Sequence, residues 1–153
     1  LQTRHSRMIA DDARSTFTAE LLSSFFRDGM DVQLRLRGWS MKPLVPSGSL
    51  VRFSPLRSVE SPAIGDVVLA RLPNDALVAH RVVAVDAERI WTKGDACRTA
   101  DGPFPRSSVL ARAVRREGFI PLPLSNAFMR TFGRVVNRFY PPLLAALRGG
   151  RAS

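Results

Sequence analysis

The sequence predicts a mostly β fold, a compact antiparallel sheet or barrel-like sandwich flanked by an N-terminal and a C-terminal helix. Three observations carry that expectation. Apolar and polar residues alternate over short runs between residues 31 and 117, the period of a strand with one buried face. Pro43, Pro46, Gly48, Pro55, Pro62, Gly65, Pro73, Gly94, Gly102 and Pro103 separate those runs, as tight connections between short strands require. On both flanks the apolar spacing changes to that of a helix.

The elements follow in order. Residues 1–14 are polar and carry Arg4, His5 and Arg7, which reads as a loose tail; the chain does not open on methionine, and Met8 is a candidate natural start. From Ser15 to Asp28 the residues Phe17, Leu21, Leu22, Phe25 and Phe26 fall at helical spacing, and Gly29 is placed to end the helix. This helix is expected to cover one side of the core. Val32, Leu34 and Leu36 then alternate with Gln33, Arg35 and Arg37 in a half-buried strand over Asp31–Arg37. Further strands are expected at Leu50–Phe53, Asp66–Leu72, Leu77–Val85, Arg89–Thr92 and Val109–Arg115, with Asp101-Gly102-Pro103 read as a turn. Residues 15–117 thus form a helix-plus-β domain, and residues 118–153 a basic helical extension. In the extension Phe128, Phe132, Val135 and Phe139 line one face of a helix from about Ser125 to Tyr140. Arg130, Arg134 and Arg138 line another. Pro141 and Pro142 are expected to stop it, with Leu143–Arg148 adding a further turn.

Bulk properties exclude several function classes. A chain of 153 residues, 45% hydrophobic and 24% charged, can bury one real core and is not disordered throughout. No apolar run approaches the roughly 20 residues that cross a bilayer, and none reads as a secretory signal. A cytoplasmic protein, peripheral to a membrane at most, is the expectation. Cys97 is the only cysteine, so no intrachain disulfide forms. Two histidines and one cysteine cannot supply an ordinary zinc site. Neither phosphate-binding glycine loop is present, so no metal or cofactor is expected.

The net charge is +10, and Lys42 and Lys93 are the only lysines among 23 basic residues. Such a charge suits an anionic partner. The basic residues are spread along the chain without a nucleic-acid-binding motif, so nucleic acid is not the expected partner. From Phe119 onward no acidic residue occurs. That segment can lie in a membrane interface, dock on the β domain, or meet a second subunit; oligomeric state stays open.

The chemistry lies in three separated pieces. Gly38-Trp39-Ser40-Met41-Lys42-Pro43 presents a serine on a glycine-led turn at a strand end. His80 sits inside the apolar strand Leu77–Val85, sharing a face with Val78 and Val82 while Arg81 points oppositely. Thr92-Lys93-Gly94-Asp95 follows, with Asp101 six residues further on. A serine needs a base to take its proton, and a neutral imidazole held by a carboxylate is suited to that task. Lys42 and Lys93 are the alternative bases, if desolvation lowers their pKa. Read without the chemistry, Ser40, Asp95 and Asp101 are ordinary turn residues and His80 a hydrogen-bonded core histidine.

The blocks Gly38–Pro43, Gly65-Asp66-Val67-Val68, Ala79-His80-Arg81-Val82-Val83 and Thr92–Asp95 with Asp101 resemble, in order and spacing, the signal peptidase I clan, which includes the self-cleaving SOS-repressor peptidases. The resemblance covers about half the chain. It implies a mostly β domain with a shallow groove and a serine endopeptidase acting on a peptide or protein precursor near small side chains. It places the nucleophile at Ser40 and the base at His80, where the bacterial enzymes and the repressors have lysine and the endoplasmic-reticulum and archaeal-like branch has histidine. Asp101 matches that branch's acidic partner, and Asp95 a site-shaping aspartate, alongside Gly38, Met41 and Arg81 in the same blocks. This chain has Gly48-Ser49 where the family commonly has Gly-Asp, and Gly38-Trp39 in place of a smaller Ser-Gly pair, so that a hydroxyl donor to the oxyanion is absent there. No membrane anchor is read, and no Ala-Gly or Cys-Gly bond for self-cleavage occurs. The expected function is therefore a short serine peptidase of the histidine branch. The alternative is a non-catalytic peptide-binding or membrane-surface module on a degenerate peptidase fold.

Overall fold

A computed structural model describes residues 18–57, 60–118 and 121–149. The expected tail at 1–14, Phe17 on the first helix, Phe119 and residues 150–153 lie outside the described residues. Helix α1 occupies residues 18–27, and Gly29 follows it with a positive φ of 78°, the conformation that ends helices. Eight strands come next: β1 (Val32–Arg35), β2 (Leu50–Pro55), β3 (Val67–Arg71), β4 (Leu77–Val85), β5 (Arg89–Lys93), β6 (Asp101–Pro105), β7 (Val109–Arg116) and β8 (Leu122–Pro123). A short 3-10 turn, Arg106–Ser108, joins β6 to β7, and helix α2 (Ala127–Gly149) closes the described chain.

The fold is mostly β with two flanking helices. All strand pairs are antiparallel, in the order β1-β2-β7-β3-β4-β5-β6, with β8 on β7. The sheet does not close into a barrel: β1 and β6 are its ends. One face is covered by Leu22 and Phe26 of α1 and by Met41 and Val45 of the β1–β2 loop. These pack on Val51, Phe53, Val67, Leu69, Ala111 and Ala113, so side chains from a helix and a loop complete this core. On the opposite face Val68, Val82, Ile90 and Phe104 make a second, smaller core. Strand β3 is buried on both faces, which is why its sequence Val-Val-Leu-Ala lacks the alternation of β1.

Two expectations need correction. Asp101-Gly102-Pro103 is not a turn but the start of β6, with Asp101 opposite Thr92. An end strand tolerates Pro103 and Pro105 because one row of its backbone groups has no ladder partner to lose. Helix α2 also runs through Pro141 and Pro142 to Gly149 instead of stopping at Tyr140. A proline at 141 removes the N–H that would bond the carbonyl of Asn137. That carbonyl instead accepts the Lys93 ammonium at 2.7 Å, so an outside donor replaces the lost one.

Helix α2 sits against the β domain on a narrow face. Met129, Gly133, Asn137 and Pro141, each four residues apart, are buried. A methyl group at Gly133 would stand 2.2 Å from the Arg81 guanidinium, so only glycine allows this approach. At Gly65 a methyl would meet the Arg130 carbonyl at 2.8 Å.

Candidate active site

Ser40 belongs to a loop pinned at both ends and at its middle. The Gly38 amide donates to Ser47 Oγ at 3.0 Å, and the Gly48 amide to the Leu36 carbonyl at 2.6 Å. Gly38 has φ +112°, a conformation open to glycine and strained for other residues. The Val45 amide donates to the Met41 carbonyl at 2.9 Å, and both side chains enter the first core. Met41 thereby anchors the residue next to the serine, leaving the Ser40 hydroxyl turned towards the sheet. Trp39 stands outward, 68% exposed, with the Lys42 ammonium 3.6 Å over its ring.

His80 is a buried residue of β4, and its ring joins the other two candidates. Nε2 lies 3.1 Å from Ser40 Oγ, and Nδ1 lies 2.5 Å from Asp101 Oδ2. With the carboxylate accepting the Nδ1 proton, the Nε2 lone pair is left facing the serine hydroxyl. Asp101 gains this position because β6 pairs with β5 while β5 pairs with β4, carrying it across two strands to the histidine. Thr92 Oγ1 stands 3.5 Å from the same carboxylate oxygen.

Asp95 plays a different part. It is fully buried and grips Arg81 with two parallel bonds, Nε to Oδ1 and Nη2 to Oδ2, each 2.8 Å. Arg81 Nη1 donates to the Gly65 carbonyl at 2.7 Å. Alternation along β4 thus sends His80 to the serine and Arg81 to the other face; that Asp95 meets Arg81 there is not legible in the alternation. This pair holds the 93–97 turn in place, and the turn backs the serine: the Ala96 amide donates to the Ser40 carbonyl at 2.8 Å. At Gly94 a methyl group would stand 2.7 Å from that carbonyl and 2.9 Å from Ser40 Cβ.

The two lysines are engaged elsewhere. Lys42 sits on Trp39. Lys93 donates to the carbonyls of Cys97 at 2.6 Å, Asn137 at 2.7 Å and Gly94 at 3.4 Å. Burial holds its ammonium below the ordinary lysine value, with Asp95 and Cys97 pulling the other way. The Gly65-Asp66 block has a structural use as well. Asp66 Oδ2 accepts the Ala63 amide at 2.9 Å, and Arg130 of α2 approaches Oδ1 at 3.8 Å.

Sequence reasoning did not single out Asn137 or the packing roles of Gly94 and Gly133. Asn137 Nδ2 donates to Asp95 Oδ1 at 2.9 Å and to the Lys93 carbonyl at 3.0 Å. An amide side chain four places before a proline, on a helix with no other amide, was the available signal.

Ser40 lies between two cavities. One, of about 300 Å³, is lined by Leu34, Leu36, Met41, Leu69 and Ala79; the other, of about 400 Å³, by Trp39, Lys42, Cys97, Tyr140 and Leu144. Helix α2 therefore supplies a wall of the second. A larger cavity of about 720 Å³ lies between α1 and the segment from Pro103 to Leu110, and contains none of Ser40, His80 and Asp101. Among the described residues no three His, Cys, Asp or Glu side chains gather as metal ligands, and no helix is long and apolar enough to cross a membrane. Compared with protein-family models, curated proteins and solved structures, the chain gives no match.

Proposed function

We propose that this chain is a serine endopeptidase of signal-peptidase-like type, using Ser40, His80 and Asp101 to cut a peptide or protein precursor. The observation that carries the reading is the continuous line from Asp101 Oδ2 through both ring nitrogens of His80 to Ser40 Oγ, with spacings of 2.5 Å and 3.1 Å. The first contact orients the ring, and the second lies within reach for a general base to take the serine proton.

Ser40 Oγ attacks the substrate carbonyl carbon while His80 Nε2 takes its proton. The carbonyl π pair moves onto oxygen, and the Ser40 backbone N–H is the candidate donor to that oxyanion. Asp101 stabilises the imidazolium without taking a proton from it. His80 then gives its proton to the leaving amine as the C–N bond breaks, leaving an ester on Ser40. Water, deprotonated by His80, hydrolyses that ester and restores the hydroxyl. The two cavities beside Ser40 offer room for side chains on either side of the scissile bond, and the resemblance favours small residues next to the cut.

A fluorophosphonate probe tests the reading. It should label the wild-type chain once, at Ser40, and leave Ser40→Ala and His80→Ala unlabelled. Failure to label the folded wild type, or equal labelling of Ser40→Ala, sinks the assignment.

A further inference from the structure

Helix α2 has a docked face of mostly small side chains, which the sheet domain covers, and a larger apolar face outside it. Its docked face is Met129, Gly133, Asn137 and Pro141. The larger side chains Phe128, Phe132, Val135, Phe139, Leu143 and Leu147 fall at intervals of three and four, on one stripe, and are 43–73% exposed. The helix cannot roll to bury them. Rolling would break the bonds of Asn137 to Asp95 and Lys93 and lift Gly133 from the Arg81 guanidinium it alone can accommodate. An exposed aromatic stripe of this length marks an interaction surface.

The charges on the helix select the partner. Arg134, Arg138 and Arg148 lie on it beside Arg130, which approaches Asp66 at 3.8 Å, and no acidic residue occurs after Glu117. A second copy would bring two such arginine sets together on chains each carrying a net charge of +10, with nothing on the helix to neutralise them. An anionic lipid surface meets both demands, since phenyl and leucyl groups enter the acyl boundary while guanidinium groups reach headgroup phosphates. We infer that α2 is an interfacial helix that seats the protein on an anionic membrane surface. This inference does not depend on the peptidase reading. It places the Ser40 cleft, whose second cavity is walled by Tyr140 and Leu144, beside that surface.

Co-sedimentation with vesicles tests it, comparing phosphatidylcholine alone with phosphatidylcholine containing phosphatidylglycerol. The full chain should pellet with the anionic vesicles and about tenfold less with the neutral ones, and added salt should weaken the binding. Phe132→Ser/Phe139→Ser should lower the partition about tenfold or more. Arg134→Gln/Arg138→Gln should lower it by a similar factor on anionic vesicles only. All four positions are exposed, and unchanged thermal unfolding shows that these variants fold. No pelleting, equal pelleting with both vesicles, or unchanged pelleting of the phenylalanine variant overturns the inference. Self-association in solution that the phenylalanine changes abolish, without vesicle binding, overturns it in favour of a second copy.

Discussion

The Lys93 ammonium donates to the carbonyl of Asn137 over 2.7 Å, the carbonyl that Pro141 leaves without its helical donor. The Asn137 amide returns a bond of 3.0 Å to the Lys93 carbonyl and one of 2.9 Å to Asp95. The helix is thus fastened to the sheet where its own hydrogen-bond ladder is interrupted. The fastening point adjoins the turn that packs on Ser40.

Asn137→Ala removes both side-chain donors at a site only 4% exposed. The Lys93 carbonyl and Asp95 Oδ1 each lose a partner in a place water does not readily reach. Urea denaturation should report a loss of about 1–3 kcal/mol. A change within error would mean that the helix is held by packing alone.

Lys93 gives stability a pH dependence. Burial lowers its folded pKa below the ordinary value of 10.5. Between those two values the unfolded chain binds more protons than the folded one, so stability rises with pH through that window. Measured against Lys93→Met, which lacks the group, the wild type should become relatively more stable as pH climbs through the folded value towards 10.5. A flat or falling difference contradicts the direction. The comparison rests on the slope, because the variant also loses three hydrogen bonds.

Asp101→Asn separates orientation from chemistry. An amide in place of the carboxylate can donate to Nδ1, which leaves the Nε2 proton pointing at Ser40 and removes the base. Turnover of a peptide substrate should fall by roughly 10⁴, as in other triads, with far smaller change in KM. Activity within about tenfold of wild type would make Asp101 a bystander and His80 a lone base.

Much of this arrangement could be read from the chain, for local reasons. Alternation in Leu77–Val85 put His80 and Arg81 on opposite faces, and β4 has those bounds. The strand after Asp101 was hidden because Gly102, Pro103 and Pro105 carry the chemistry of a turn, while what makes them a strand is pairing with β5. The true end of α2 is hidden in the sequence for a similar reason. Pro141 stops a helix in isolation, and its accommodation depends on a lysine 48 residues earlier in the chain. The steric demands at Gly94 and Gly133 arise from Ser40 and Arg81, neighbours that only the fold supplies.

Gly94→Ala should act on Ser40 without touching its hydroxyl. The added methyl would stand 2.7 Å from the Ser40 carbonyl and 2.8 Å from Cys97 Sγ, so the turn or the serine must move. Displacement of the nucleophile by a few tenths of an ångström should lower kcat more than it raises KM. Overpacking of this kind should also cost about 1–3 kcal/mol of stability. Unchanged kinetics would show that the turn yields instead of the serine.

The Arg81–Asp95 pair decides whether Asp95 is part of the chemistry or part of the frame. Both side chains are fully buried, and Asp95 faces Arg81 and Asn137, not His80. Arg81→Met strands the carboxylate and should cost about 3–5 kcal/mol, whereas Arg81→Met/Asp95→Leu should recover much of that loss by removing the uncompensated charge. If the double variant folds and still labels at Ser40, Asp95 only holds the 93–97 turn in place. A double variant that folds as stably as wild type yet fails to label would instead show that the Arg81–Asp95 pair positions the turn behind Ser40, because a pair needed only for folding cannot be missed once the fold is restored.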